Sequence, residues 1–238
     1  MYEPRSRRRL HPLFVLVMLT IAVLYGFRQG YVPLRYLPIP ALDLNAADSW
    51  FLDLRLAALK RDRTLCATAV QSPVIDASAV ADMPVDNGCG WTNAVQMTNA
   101  GGARVSVDKM TCDTAAAFAM WMEHEVQPLA KEHLGSSVKS IQHMGVYACR
   151  NIQGSKAFTA FRSQHARANA IDVAAFVLGD GRTVSVVKHW HGDSAEAKFL
   201  HAIHQRSCRY FRVALGPEYN AAHHNHFHFD RGAFRRCT

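Results

Sequence analysis

His223-His224-Asn225-His226-Phe227-His228-Phe229-Asp230 alternates histidine with aromatic residues near the end of the chain. Side chains in a strand point to opposite faces in turn, so a strand over 224–230 carries His226 and His228 on the same face. Upstream, Ser163-Gln164-His165-Ala166-Arg167-Ala168-Asn169-Ala170-Ile171-Asp172 sets an imidazole and a carboxylate seven positions apart. That spacing lets a loop return both side chains to one point. Zinc takes nitrogen and oxygen ligands at tetrahedral corners, and a catalytic site commonly uses three protein ligands with the fourth corner left for water. His165 and Asp172, with a histidine of the later stretch, meet that requirement.

The elements around these stretches predict an α+β domain. Apolar spacing predicts an amphipathic helix over about 50–69, while Pro73, Pro84, Gly88 and Gly90 break 72–107 into loops and brief strands. The best helix runs from Thr114 to His133, capped by Asp113, stopped by Gly135 and open to a kink at Pro128. Strands follow at 138–144 and 146–150, then a hairpin of 170–178 with 183–188. A second helix spans about 195–210. Helices interleaved with short, mostly antiparallel strands indicate one domain, in line with 238 residues.

Residues 1–9 hold Arg5, Arg7, Arg8 and Arg9 against Glu3, a net +3 of the chain's +8. The remaining charge is moderate and lacks a basic helix or basic-aromatic interleaving, so nucleic acid is not an expected partner. Leu10 to Phe27 carries no formal charge, about the shortest run that spans a bilayer. With arginines before it, the segment is expected to be an uncleaved transmembrane anchor, its basic tail in the cytoplasm and the rest exported. The proline-bearing stretch to residue 47 reads as a linker, and 48–238 as the domain. Export suits disulfides among Cys66, Cys89, Cys112, Cys149, Cys208 and Cys237, with fifteen pairings open. A small buried thiol is the alternative for Cys66.

The segments Tyr147-Ala148-Cys149-Arg150, Ser163-Gln164-His165, Ala170-Ile171-Asp172, Leu215 to His223 and His226 to Asp230 resemble the extensin-like C-terminal domain family, over about Cys66 to Cys237. The His-x6-Asp and HxH signatures are also similar to the D-alanyl-D-alanine carboxypeptidases, VanX-type dipeptidases and murein endopeptidases, which share the hedgehog fold. That resemblance implies a small antiparallel sheet flanked by helices, and zinc on His165, Asp172 and His228. It gives His223 the place of a general base, His226 a place beside the metal, and Arg150 the place of an arginine that holds substrate carboxylate. The related motif has glycine where this chain has Ala168; a positive φ there would strain an alanine. The implied function is a membrane-anchored zinc peptidase of the cell envelope, with its domain in the periplasm and peptidoglycan peptides as substrate. Two other readings are a non-catalytic wall-binding protein that keeps the fold, and a metal-storage protein using its 13 histidines.

Overall fold

The computed structural model describes residues 11–31, 39–47, 50–154 and 158–238; the basic tail 1–9 and residues 32–38 of the expected linker lie outside these. The first helix, α1 (Pro12–Arg28), begins at a proline, whose missing N–H costs nothing at a helix start. None of its residues is buried, and Leu13, Phe14, Leu16, Leu19, Ile21 and Leu24 are all more than half exposed. Its 17 residues span about 26 Å, less than the roughly 30 Å of a hydrocarbon core. Among the described residues no helix is long and apolar enough to cross a membrane, so the spanning helix expected over 10–27 is not met at that length. The foot of α1 rests on α2 (Leu52–Leu59). Gly30 is required there, because a Cβ would lie 2.1 Å from the Ala57 carbonyl oxygen.

The helix expected over 50–69 is two helices, α2 and α3 (Arg63–Ala69). Asp62 divides them, its carboxylate accepting from Thr64 N and Leu65 N at 3.0 Å each and so starting a new helix. Next come β1 (Ile75–Ala79), β2 (Met83–Asp86), β3 (Cys89–Trp91), β4 (Ala94–Ala100) and β5 (Ala103–Thr111). Ala103, Val105 and Val107 turn inward from β5 while Arg104, Ser106 and Asp108 face out. Then α4 (Cys112–Trp121) passes through a π-helical turn, Met122–Val126, into α5 (Gln127–Leu134), which stops at Gly135 with φ 68°. Pro128 sits in the first turn of α5, so the break falls before it. Asp113 is not the cap expected of it: it is buried, 3.5 Å from Arg231 Nε.

The remaining elements are β6 (Val138–Gly145), β7 (Ala170–Leu178), β8 (Thr183–Ser185), α6 (Val186–His189), α7 (Ala195–Ser207), β9 (Val213–Leu215), β10 (Phe227–Asp230) and β11 (Arg236–Cys237). Residues 146–150 form no strand; only Asn151 bridges, to Arg162. The main sheet has nine strands in the order β1-β4-β5-β6-β7-β10-β9-β11, with β8 on the flank of β7. It is mixed: β5 pairs parallel with β6 and β11 parallel with β9. A small antiparallel sheet is therefore corrected to a large mixed one in an α+β fold. The core gathers around Trp121, whose ring lies 4.9 to 6.2 Å from those of Phe118, Phe176, Phe211 and Phe229. Its indole N–H donates to Ile203 O at 3.0 Å, so the buried polar atom is satisfied. Leu44 joins this core, so packing starts before residue 48. Disulfides link Cys66 to Cys112, Cys89 to Cys149 and Cys208 to Cys237.

Candidate metal centre

Register brings the first two functional side chains together. In the antiparallel pair β7–β10, His228 stands directly opposite Asp172, and opposed residues share a face with Cβ atoms about 5 Å apart. His228 Nδ1 lies 2.9 Å from Asp172 Oδ1. The neighbours in β10, Phe227 and Phe229, are buried on the other side, Phe227 against Trp190 at 5.4 Å and Phe229 against Trp121 at 4.9 Å. The core fixes which face the histidine takes.

His165 arrives on a single 3-10 turn, Gln164–Arg167, started by Ser163 Oγ, which accepts from His165 N at 3.3 Å. Ala168 then takes φ 51° and ψ 30°, reversing the chain into β7. The glycine-type conformation is present on an alanine, at a cost on the order of 1 kcal/mol. The reversal sets His165 Nε2 3.1 Å from Asp172 Oδ1 and 3.2 Å from His228 Nδ1.

The outer ring nitrogens decide what the inner ones offer. His165 Nδ1 is 2.9 Å from the Val146 carbonyl, which can only accept, so Nδ1 carries the hydrogen and Nε2 presents a lone pair. His228 Nε2 is likewise 3.1 Å from Asp230 Oδ2, a carboxylate behind a histidine as metal sites use to fix a ring. Asp230 is held in turn by Gly232 N at 2.7 Å. Once a cation displaces the proton held by His228, two ring lone pairs and a carboxylate oxygen face one point. Donors around a tetrahedral zinc stand roughly 3.3 Å apart, given bonds of about 2.0 to 2.1 Å. The three separations here, 2.9, 3.1 and 3.2 Å, come close to that. All three residues are buried, and His165, Asp172 and His228 form a group whose ligand atoms lie within 4.8 Å of one another. The residues fit a small divalent cation.

Without a cation, the same acceptors keep a proton on His228. Burial works against the charge of Asp172, but hydrogen bonds from His165 and His228 outweigh it and hold its pKa far below the usual carboxylate range. Burial also opposes the charge of His228, yet its bonds to Asp172 and Asp230 prevail and raise it to about 9. His226, beside β10, places Nε2 3.5 Å from Asp172 Oδ1, and burial lowers its pKa. His223 lies on the turn Ala221–His223, its ring centre 5.3 Å from that of His226 and 5.7 Å from that of His228. Burial, then the charges of His228 and His226, lowers it to about 4. Its Nδ1 is tied to Asn220 Oδ1 at 2.7 Å. Arg150 stands at the rim, a nitrogen of its guanidinium 4.0 Å from Asp172 Oδ2 and its side chain partly exposed.

All six residues singled out from the sequence thus meet in one place. The sequence reading missed Val146 and Asn220, which orient His165 and His223. Asn220 had a signal, as the residue that starts the turn bearing His223, since its side chain also accepts from Ala222 N at 3.0 Å. Val146 acts through its backbone and had none. Asp230 fixes His228 and makes no ion pair with Arg231, which turns inward to Asp53 at 2.9 Å. His189 closes α6, and Trp190 after it is buried against Phe227 of β10.

The model of the extensin-like protein C-terminus family matches residues 64–238, close to the Cys66–Cys237 stretch that carries the motifs. The chain belongs to that family. No curated protein and no solved structure matches it significantly. In this extensin-like domain the matched region holds the whole cluster and all three disulfides.

Proposed function

We propose that this extensin-like protein is a zinc-dependent hydrolase of the cell envelope that cuts peptide bonds in peptidoglycan stem peptides or cross-links, as do the carboxypeptidases and endopeptidases its motifs resemble. The observation that carries the reading is the convergence of His165, Asp172 and His228 with both outer ring nitrogens already committed to acceptors. Zinc held by these three would supply a Lewis acid that lowers the pKa of water towards about 7. His223 is neutral at that pH, since burial depresses it to about 4. With Nδ1–H donating to Asn220, its Nε2 is free to take the proton of the attacking water and return it to the leaving amine. Arg150, partly exposed at the rim, grips a peptide carboxylate in a bidentate fork or steadies the oxyanion. His226 faces Asp172 and helps hold that carboxylate in place.

The same proposal places the protein at the inner membrane through α1, with the domain on the periplasmic side. An apolar helix with no buried residue needs an apolar partner, and a lipid surface supplies one. The test is incubation of the metal-loaded protein with purified muropeptides, followed by mass spectrometry. Released D-alanine or split cross-links, lost in Asp172→Asn, support the proposal. No cleavage together with wall binding that survives His223→Ala would point to a non-catalytic wall-binding protein. More than one tightly held ion per chain would point to metal storage.

A further inference from the structure

The turn that carries His165 has a second cavity beside it. About 380 Å³ in volume, it is lined by Ser163, Gln164 and Arg167 of that turn but not by His165. Lys60, Arg61, Arg162 and Arg167 put four basic side chains on its wall, and no lining residue is acidic. The three arginines are exposed along it, while Lys60 is half-buried and burial lowers its pKa. Arg162 donates to Asn87 O and Asn151 Oδ1, Arg167 to Gly88 O and Arg61 to Gln29 O, all neutral acceptors. Among the described residues no carboxylate stands within ion-pair distance of any of the four; Asp113 acts on Lys60 from farther off, and Arg61 stacks over the Tyr31 ring at 3.8 Å.

A separate observation points the same way. Gln29, also in the lining, is only 8% exposed, and its amide nitrogen has no hydrogen-bond partner. A buried donor left without a partner is destabilising, and an acceptor brought to it from the cavity relieves it. Four basic side chains, a buried N–H with nothing to receive it, and no acid in the lining describe the complement of an oxyanion. Guanidinium forks favour the tetrahedral oxygens of phosphate. The volume exceeds that of a bare ion and falls in the range of small-molecule sites, while Trp91 and Val85 offer apolar wall for an organic substituent.

We propose that this cavity is a binding site for a phosphate-bearing anion. Its position suggests where such a group comes from. Gln29 caps the exposed apolar helix α1, so the cavity opens at the helix foot, the level at which a phospholipid headgroup lies if α1 is sunk in a bilayer. That source rests on the membrane attachment proposed above; the anion site itself does not, and it is independent of the metal centre.

The test uses the full-length zinc-treated protein in uncharged detergent. Inorganic phosphate is titrated at constant ionic strength by calorimetry, and flotation compares vesicles of phosphatidylcholine with vesicles containing phosphatidylglycerol. Either saturable one-to-one phosphate binding or a preference for the anionic vesicles is expected. The double variant Lys60→Met, Arg167→Gln should weaken it at least about tenfold, having lost two charge-assisted contacts. Gln29→Leu should weaken it too without lowering thermal stability, because it removes the unsatisfied donor and keeps the volume. A preference confined to vesicles assigns the site to a headgroup; binding of phosphate alone assigns it to a soluble ligand. Equal binding by wild type and both variants overturns the proposal, as does loss in His228→Ala with retention in the double variant, which would place the phosphate at the metal centre.

Discussion

Removing metal with a chelator should make the stability of this domain depend on pH in one particular window. Asp172 and Asp230 hold the His228 pKa near 9, against 6.5 for the free side chain. A group whose pKa is raised on folding contributes its full stability below the unfolded value and loses it as pH rises through the folded one. The difference corresponds to about 3 kcal/mol, present at pH 6.5 and gone above pH 9. For a domain of this size that is roughly 6 to 12 °C in melting temperature. Lys60, lowered by burial from 10.5, gains stability as pH rises and does so in chelated and loaded protein alike, so the difference between the two forms isolates His228. His204 and His223, both lowered to about 4, contribute above pH 6.5 and lose their share only as pH falls towards 4. The contribution of Asp172 is lost further into acid. Zinc displaces the His228 proton, so the loaded protein should lack the chelated protein's fall from pH 6.5 to 9.5. Differential scanning calorimetry of both forms reads this directly. Two forms that hold level or rise together across the window would refute the ionic account of the cluster; two that fall in parallel would refute the ligand assignment.

Asp230→Asn removes the carboxylate behind His228, and zinc affinity measured by competition with a chromogenic chelator should drop about 10- to 100-fold while the fold survives. His223→Gln should leave metal content at one ion per chain and reduce muropeptide turnover by roughly 10²- to 10⁴-fold, the usual range for a general base; unchanged turnover removes His223 from the reaction. In Ala168→Gly, relief of a positive-φ alanine, about 1 kcal/mol, is offset by loss of a buried methyl and a freer unfolded chain. Urea unfolding should then shift by less than about 1 kcal/mol, and a loss above 2 kcal/mol would show that Ala168 sits in its conformation without strain.

The site could be read from the sequence further than the fold could. The two-residue period of a strand put His226 and His228 on one face, and the same period left Asp172 to meet His228 once β7 and β10 paired. Departure from the family motif at residue 168 pointed to a positive φ, and one is found there. What escaped was non-local. The pairing of β5 with β6 is parallel and lies across α4 and α5, so no hairpin signal announces it. Bulges shift the register of β4 against β5 and of β1 against β4, and the prolines and glycines of 72–107 hid a three-stranded stretch of sheet. Asp113 looked like a helix cap by composition; its role beside Arg231, 118 positions away, follows only from the packed core. The disulfide partners, separated by 46, 60 and 29 positions, were equally invisible to local pattern.

Strand β10 does two jobs with one alternation. Its phenylalanines plug the interior while its histidine and aspartate line the candidate metal centre, and both depend on one alignment with β7. Slippage by a single residue would turn the rings towards the cluster and drive the imidazole into the apolar core, so the misaligned state destroys itself before it can persist. Any copy of the chain that has solidified its interior has therefore already positioned these ligands. Metal loading becomes an encounter with a finished socket rather than a folding event, and the chelated protein should take zinc back as fast as the ion can reach it.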